Sequence, residues 1–338
     1  MSSKVLSHDL FGKKGKRAAV WMHGILGHKR NLRQISQRLL KHNNEIIDCS
    51  ITAEHRGHGF SHGPHFKTPH TVRSCANDLS HLITSLDVKP VVLVAHSFGG
   101  KVSIEYLKNQ LEKTKANNNN DNNNNNNNDN DNDNDNNNIL NNLPKHIWIL
   151  DSLPGPYNDS GGEESVINVM KILRKLPSVF ESRKWMIKTL VHDYQIPEGI
   201  AMWLCTSVVS TEDKKGSKFM FDIELIHDLF EDFLHYDLFP WLEEYAENGN
   251  ELYKIDTNSA DSSNSNLPTI HFLRAGKSPQ WTPQVYDRLN SLTYAVGGGQ
   301  ITLNTIKDAG HWLHTSHPTE VVQYIDRSLD LLRGRSLK

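Results

Sequence analysis

Cysteine is scarce in this chain of 338 residues: Cys49, Cys75 and Cys205 are few, odd in number and without metal-ligand spacing. That excludes a disulfide framework and suits a reducing compartment. Charge of one sign is also missing. A net charge of −2 and a sequence pI near 6.8 leave no broad basic field for nucleic acid or an anionic membrane. No apolar run approaches the roughly 18 residues of a transmembrane helix. A first strand expected from about Val5 leaves no room for a secretory signal or an ordinary transit peptide, so the expected location is the cytoplasm.

What is present begins at Val91 to Gly100, VVLVAHSFGG. Four β-favouring apolar residues run into Ala95-His96-Ser97-Phe98-Gly99 and then a segment with helical promise, which puts Ser97 at a strand-to-helix turn. This is the setting of a nucleophile elbow, usually written G-x-S-x-G, in which a tight turn lifts the serine Oγ clear of the sheet. Ala95 stands where the first glycine is usual, and taken alone the motif also fits a serine in an ordinary βα turn. Two other segments add weight. Arg17 to Met22 reads as a buried strand ending at His23-Gly24-Ile25-Leu26-Gly27, a loop whose glycines allow close backbone approach. An acyl-transfer site needs two backbone N–H groups aimed at the developing oxyanion, and Ile25 and Phe98 are the candidates. Downstream, the strand expected over Gln300 to Lys307 is followed by Asp308-Ala309-Gly310-His311, which places His311 where a Ser, acid, His order requires its histidine. Val321, Val322, Ile325, Leu329 and Leu332 recur at helical spacing and predict a closing helix from about Pro318 to Leu332.

With these motifs the sequence resembles the α/β-hydrolase superfamily, and within it the group of the eleventh α/β-hydrolase-domain protein and its bacterial esterase relatives. The resemblance rests on HGILG at 23 to 27 with Asn31, EHRGHGFS at 54 to 61, PHT at 69 to 71, Asp78-Leu79, AHSFGGK at 95 to 101, ILDSLP at 149 to 154 and AGHWLH at 309 to 314. Departures are Ala95 and Glu54, the latter where the family has aspartate. The resemblance implies an α/β fold with a mostly parallel central sheet flanked by helices, and a helical lid inserted between the sixth and seventh strands. It implies no cofactor. Mitochondrial location, common among eukaryotic members, is the alternative to the cytoplasm.

The triad acid is absent from its common place, since the strand expected over Thr269 to Arg274 ends on Ala275-Gly276-Lys277-Ser278. The strand His146 to Leu150 ends instead on Asp151, the position that the resemblance implies. Asp222 and Glu224 are the reserve candidates. The expected organisation is a core over 1–151, a helical lid and linker over 152–266, and the rest of the core over 267–338. Residues 117–138 are all Asn or Asp and read as a disordered surface loop, because nothing in them can be buried to offset ordering. In the lid, Trp185, Trp203 and Phe221 are the substrate-binding candidates, with Met186 and Phe230 behind them; packing within the lid is the plainer reading for each, as it is for Trp281 and Trp312. His55, His58, His62, His65 and His70 invite a zinc reading. Their stretch is broken by Gly57, Gly59, Gly63, Pro64 and Pro69, and the family segment explains it without metal. The function expected is hydrolysis of a small-molecule carboxylic ester or thioester through an acyl-enzyme on Ser97. A lipase or acyltransferase on the same residues is the alternative, and a ligand-binding protein that kept the fold is the non-catalytic one.

Overall fold

The computed structural model describes residues 5–13, 15–121, 139–140, 142–157, 166–253 and 267–333. Seven strands form its main sheet in the order β1 (His8–Gly12), β3 (Cys49–Ala53), β2 (Arg17–Met22), β4 (Lys89–His96), β5 (His146–Leu150), β8 (Thr269–Ala275) and β9 (Ile301–Ile306). β1 runs antiparallel to β3 at one edge and every other pairing is parallel. Parallel strands covered on both faces read as continuous apolar runs, as VVLVA and HIWIL do. Alternate residues still divide between two cores. Val20, Leu93, Ala95, Ile147 and Ile149 face one core, which takes in α2 (Val72–Ser85), α3 (Phe98–Asp121) and α9 (Pro283–Leu292). Trp21, Val92, Val94, Trp148 and Leu150 face the other, covered by α1 (Arg33–His42) and α11 (Pro318–Asp330). The α11 contacts are Val321, Val322, Ile325 and Leu329, four of the five residues of the predicted stripe; the helix ends at Asp330, short of the expected Leu332, which is exposed in the tight turn that follows.

Between β5 and β8 the chain leaves the sheet. The inserted elements are α4 (Val166–Leu173), α5 (Arg183–Lys188) running on into a π-helical turn at Thr189–Asp193, α6 (Glu198–Cys205), the hairpin β6 (Val208–Ser210) and β7 (Ser217–Phe219), α7 (Ile223–His235) and α8 (Phe239–Leu252). This differs from expectation in two ways. The insertion follows the fifth main-sheet strand in chain order rather than the sixth, because the described sheet reaches that point with one strand fewer. It also holds a hairpin, so it is not purely helical. At the junctions, Lys101 Nζ donates to the carbonyls of Phe233 (2.7 Å) and Tyr236 (2.8 Å), and Val72 N–H donates to Asp232 at 2.7 Å.

α3 continues to Asp121, into the Asn/Asp tract assigned to a loop by its composition. An established helix adds one hydrogen bond for each further residue fixed, which offsets part of the ordering entropy. The rest of that tract, and the polar stretch 256–266, lie outside the described residues. Among the described residues no helix is long and apolar enough to cross a membrane.

Candidate active site

Ser97, Asp151 and His311 lie at the carboxyl edge of the parallel sheet, where open α/β sheets place their ligands. Ser97 follows β4 directly, with φ +51°, and its N–H donates to Leu150 O at 3.0 Å. A non-glycine residue in this left-handed region is strained, and surrounding structure must hold it there. Here the turn is held by close contact. A Cβ at Gly99 would stand 2.7 Å from His23 O, and one at Gly24 would stand 2.9 Å from His96 Nδ1, so both positions need glycine for space.

Asp151 follows β5 in the same way, with φ +46° and no solvent exposure. Its Oδ1 accepts from Ala275 N–H (2.9 Å) and Trp281 Nε1–H (2.8 Å), and its Oδ2 lies 2.8 Å from His311 Nδ1. A carboxylate bound on three sides cannot turn, so it fixes the imidazole and favours a proton on Nδ1, leaving Nε2 as the basic nitrogen. His311 stays partly accessible, its side chain 22% exposed. Its own carbonyl accepts from His96 Nε2–H at 2.8 Å, which fastens the His311 loop to the residue before Ser97. Ser97 and His311 face one cavity with His23, Gly24, Ile25 and Leu26, without a direct hydrogen bond between them among the described contacts. Catalytic hydrogen bonds are often loose before substrate arrives.

The loop after β2 is braced from below by histidines. His58 donates through Nδ1 to Arg56 O (3.0 Å) and accepts at Nε2 from Leu26 N–H (3.0 Å), which holds Leu26 at φ +59°. His55 Nε2 donates to His23 O at 2.9 Å, and His23 Nδ1 donates to Gly24 O at 2.7 Å. Buried Glu54 lies 3.1 Å from His23 Nε2 and 3.2 Å from His28 Nδ1. Burial holds His55 and His58 well below the usual histidine range, so both are neutral and able to accept as well as donate. Both His58 nitrogens and His55 Nε2 are spent on the backbone, His55 Nδ1 is buried without a partner, and among the described residues no three His, Cys, Asp or Glu side chains gather to hold a metal. The N–H groups of Ile25 and Phe98 find no protein acceptor among the described residues, while the neighbouring N–H groups of Leu26 and Gly27 do.

Of the lid candidates only Trp203 lines the cavity, beside Val166, Val169, Ile200 and Trp312. Trp185 stacks on Phe180 and Phe221 on Phe219, inside the insertion's own core, and Phe230 stacks on Phe233. Met186 is fully buried. Their helical spacing marked them as apolar without marking which way they face. Asp222 caps α7 through Leu225 N–H (3.2 Å) and Glu224 pairs with Arg174 (2.7 Å), so the structure brings neither reserve acid to His311. Sequence reasoning missed Trp281 as the donor to Asp151. The two are 130 positions apart, and nothing local to either signals the contact.

Comparison with known proteins places this geometry. A family model described as "Alpha/beta hydrolase family" matches residues 19–324. A curated relative from Danio rerio, "sn-1-specific diacylglycerol lipase ABHD11", is 22% identical over 327 residues, covering 95% of this chain and 81% of the relative. The Mus musculus protein of the same name is 22% identical and covers 95% and 83%. Among solved structures, a "Marine microorganism esterase" superposes with a TM-score of 0.65 at 17% identity, covering 96% of this chain and 98% of the other.

Proposed function

The chain belongs to the alpha/beta hydrolase family, and we propose that it is a serine hydrolase that cleaves carboxylic esters or thioesters of small to medium acyl groups through an acyl-enzyme on Ser97. One observation carries the reading: the fully buried Asp151 holds His311 Nδ1 at 2.8 Å on the wall of the cavity that Ser97 also lines. In the proposed reaction His311 Nε2 takes the Ser97 proton as Oγ attacks the carbonyl carbon, and Asp151 stabilises the imidazolium that results. The Ile25 and Phe98 N–H groups hold the tetrahedral oxyanion. Collapse expels the alcohol or thiol, which receives the proton from His311. A water activated by the same histidine then frees the acid and restores Ser97.

The insertion acts as a lid in this reading, with Val166, Val169, Ile200 and Trp203 excluding water from the acyl group. The relatives' printed name supports a second reading, a lipase on the same residues, in which rates rise with acyl chain length. The test is labelling of wild type and Ser97→Ala with a fluorophosphonate, alongside hydrolysis of p-nitrophenyl esters of increasing length. Labelling and turnover that both vanish in the variant are expected, with short and medium esters preferred. A folded wild-type protein that takes no label would sink the acyl-enzyme.

A further inference from the structure

One ring in the cavity wall has a buried nitrogen with no partner among the described residues. His314 lies in the short helix α10 (Leu313–Ser316), one turn after His311, and is 6% exposed. It lines the cavity, and its Nδ1 is sequestered without a hydrogen-bond partner. The nearest polar ring is His96, with centroids 4.4 Å apart, whose Nε2–H is already given to His311 O. Burial, reinforced by His311, pushes the His314 pKa down to about 3. The ring is therefore neutral in working solution and offers one N–H and one lone pair. Leaving such a group buried and unpaired is unfavourable, and native structures seldom do so without a ligand, ion or water to complete it. On the facing wall from the insertion, Val166, Val169, Ile200 and Trp203 offer no side-chain acceptor, and none of them is hydrogen-bonded to His314 among the described residues.

We propose that His314 is a specificity-determining residue that hydrogen-bonds an oxygen on the acyl chain of the substrate, so that hydroxyacyl or oxoacyl esters are preferred over aliphatic esters of the same shape. The inference rests on the acyl-enzyme reading above. The acyl chain is the part of an ester that stays on Ser97 through both steps, so it is the part these walls must hold throughout. Among the described residues no lysine or arginine lines the cavity, which favours an uncharged hydroxyl or keto oxygen over a second carboxylate. A hydroxyl both gives and accepts a hydrogen bond and fits either tautomer of the ring.

The experiment compares p-nitrophenyl 3-hydroxybutyrate, as each enantiomer, with p-nitrophenyl 3-methylbutyrate, in which a methyl replaces the hydroxyl. Rates are normalised to alkaline hydrolysis of the same esters. Wild type should favour one hydroxy enantiomer by about 10-fold in kcat/KM, the worth of one well-made hydrogen bond. His314→Phe should bring that ratio to about one by losing rate on the hydroxy ester alone, and His314→Gln should restore part of it. Fluorophosphonate labelling of Ser97 in each variant shows that the site is folded. A wild-type ratio near one with Ser97 labelled overturns this assignment and leaves the acyl-enzyme standing. Equal loss on both esters in His314→Phe overturns it in favour of a structural role. A wild type that is folded but unlabelled overturns the acyl-enzyme and this assignment together.

Discussion

The floor and the roof of the cavity are built on different physics. On the floor, Ser97, Asp151 and the loop at 23–27 project from strand ends, and directional bonds fix them: three polar contacts on Asp151, His58 on Leu26, and His96 on the His311 loop. Three of the six non-glycine residues with positive φ among those described, Leu26, Ser97 and Asp151, lie here. The roof presents Val166, Val169, Ile200 and Trp203, and behind them the Phe180–Trp185 and Phe219–Phe221 stacks. Apolar contact has no preferred direction, so it can shape a surface but cannot aim a proton. In the proposed reaction the floor would therefore carry the chemistry, and the roof would shape the space for the acyl chain.

The largest effect that separates the two belongs to the acid. Asp151→Asn keeps the shape but cannot hold His311 in the required tautomer, and turnover should fall about 10⁴-fold in steady-state ester hydrolysis. If it fell less than tenfold, Asp151 would be only a brace for the β8 turn.

Acid should weaken the floor and sheet before it touches the roof. Burial lowers His146 to about 4 and His271 and His314 to about 3, and holds His96 well below its usual range. Each binds a proton in the unfolded chain below about 6.5 but not in the folded one. The unfolded state then holds more protons, and stability drops as pH falls from about 6.5 towards about 4, on the order of 1 kcal/mol per pH unit for each such histidine. Urea titrations across that range should show this loss. A flat profile would mean that these rings are charged in the fold.

How far each region could be read from sequence follows the same division. The elbow, the loop at 23–27 and the His311 turn are written in local spacing, because a strand end, a tight turn and a small residue must adjoin in the chain. Asp151 was a candidate because the resemblance implies an acid at the end of that strand. Trp281 and the bond from His96 to His311 O were not legible, since each joins residues far apart in sequence. In the roof, Trp203 and Trp185 look alike as apolar residues on short helices. Only the fold decides that one faces the cavity and the other faces Phe180.

Trp203 thus gives the sharpest test of the roof. Trp203→Ala enlarges the cavity without touching a polar bond of the floor, so Ser97 labelling should persist while the ratio of long-chain to short-chain kcat/KM rises about tenfold. Loss of labelling together with the ratio would show that roof and floor cannot be separated.

Lys101 is where they are joined, and it should give the smallest effect. Its amine leaves α3, the helix that begins at the elbow, and donates to the Phe233 and Tyr236 carbonyls at the end of α7, 4.3 Å from the Phe233 ring centroid. Burial lowers its pKa from 10.5 to about 7, against the opposing pull of Asp237 and Asp232. Between those values the unfolded chain carries a proton on Lys101 that the folded one lacks, so this group adds stability as pH rises from about 7, and below that both forms are charged and its contribution is level. Lys101→Met has no such dependence. The melting temperature of wild type minus that of the variant should therefore grow from pH 7 to pH 9.5 by about a few degrees, with ester hydrolysis at pH 7 changed less than the Trp203→Ala selectivity. A difference that stayed constant across that range would mean that the amine keeps its charge against the two carbonyls, making the junction a fixed ionic clasp instead of one that strengthens as a proton leaves.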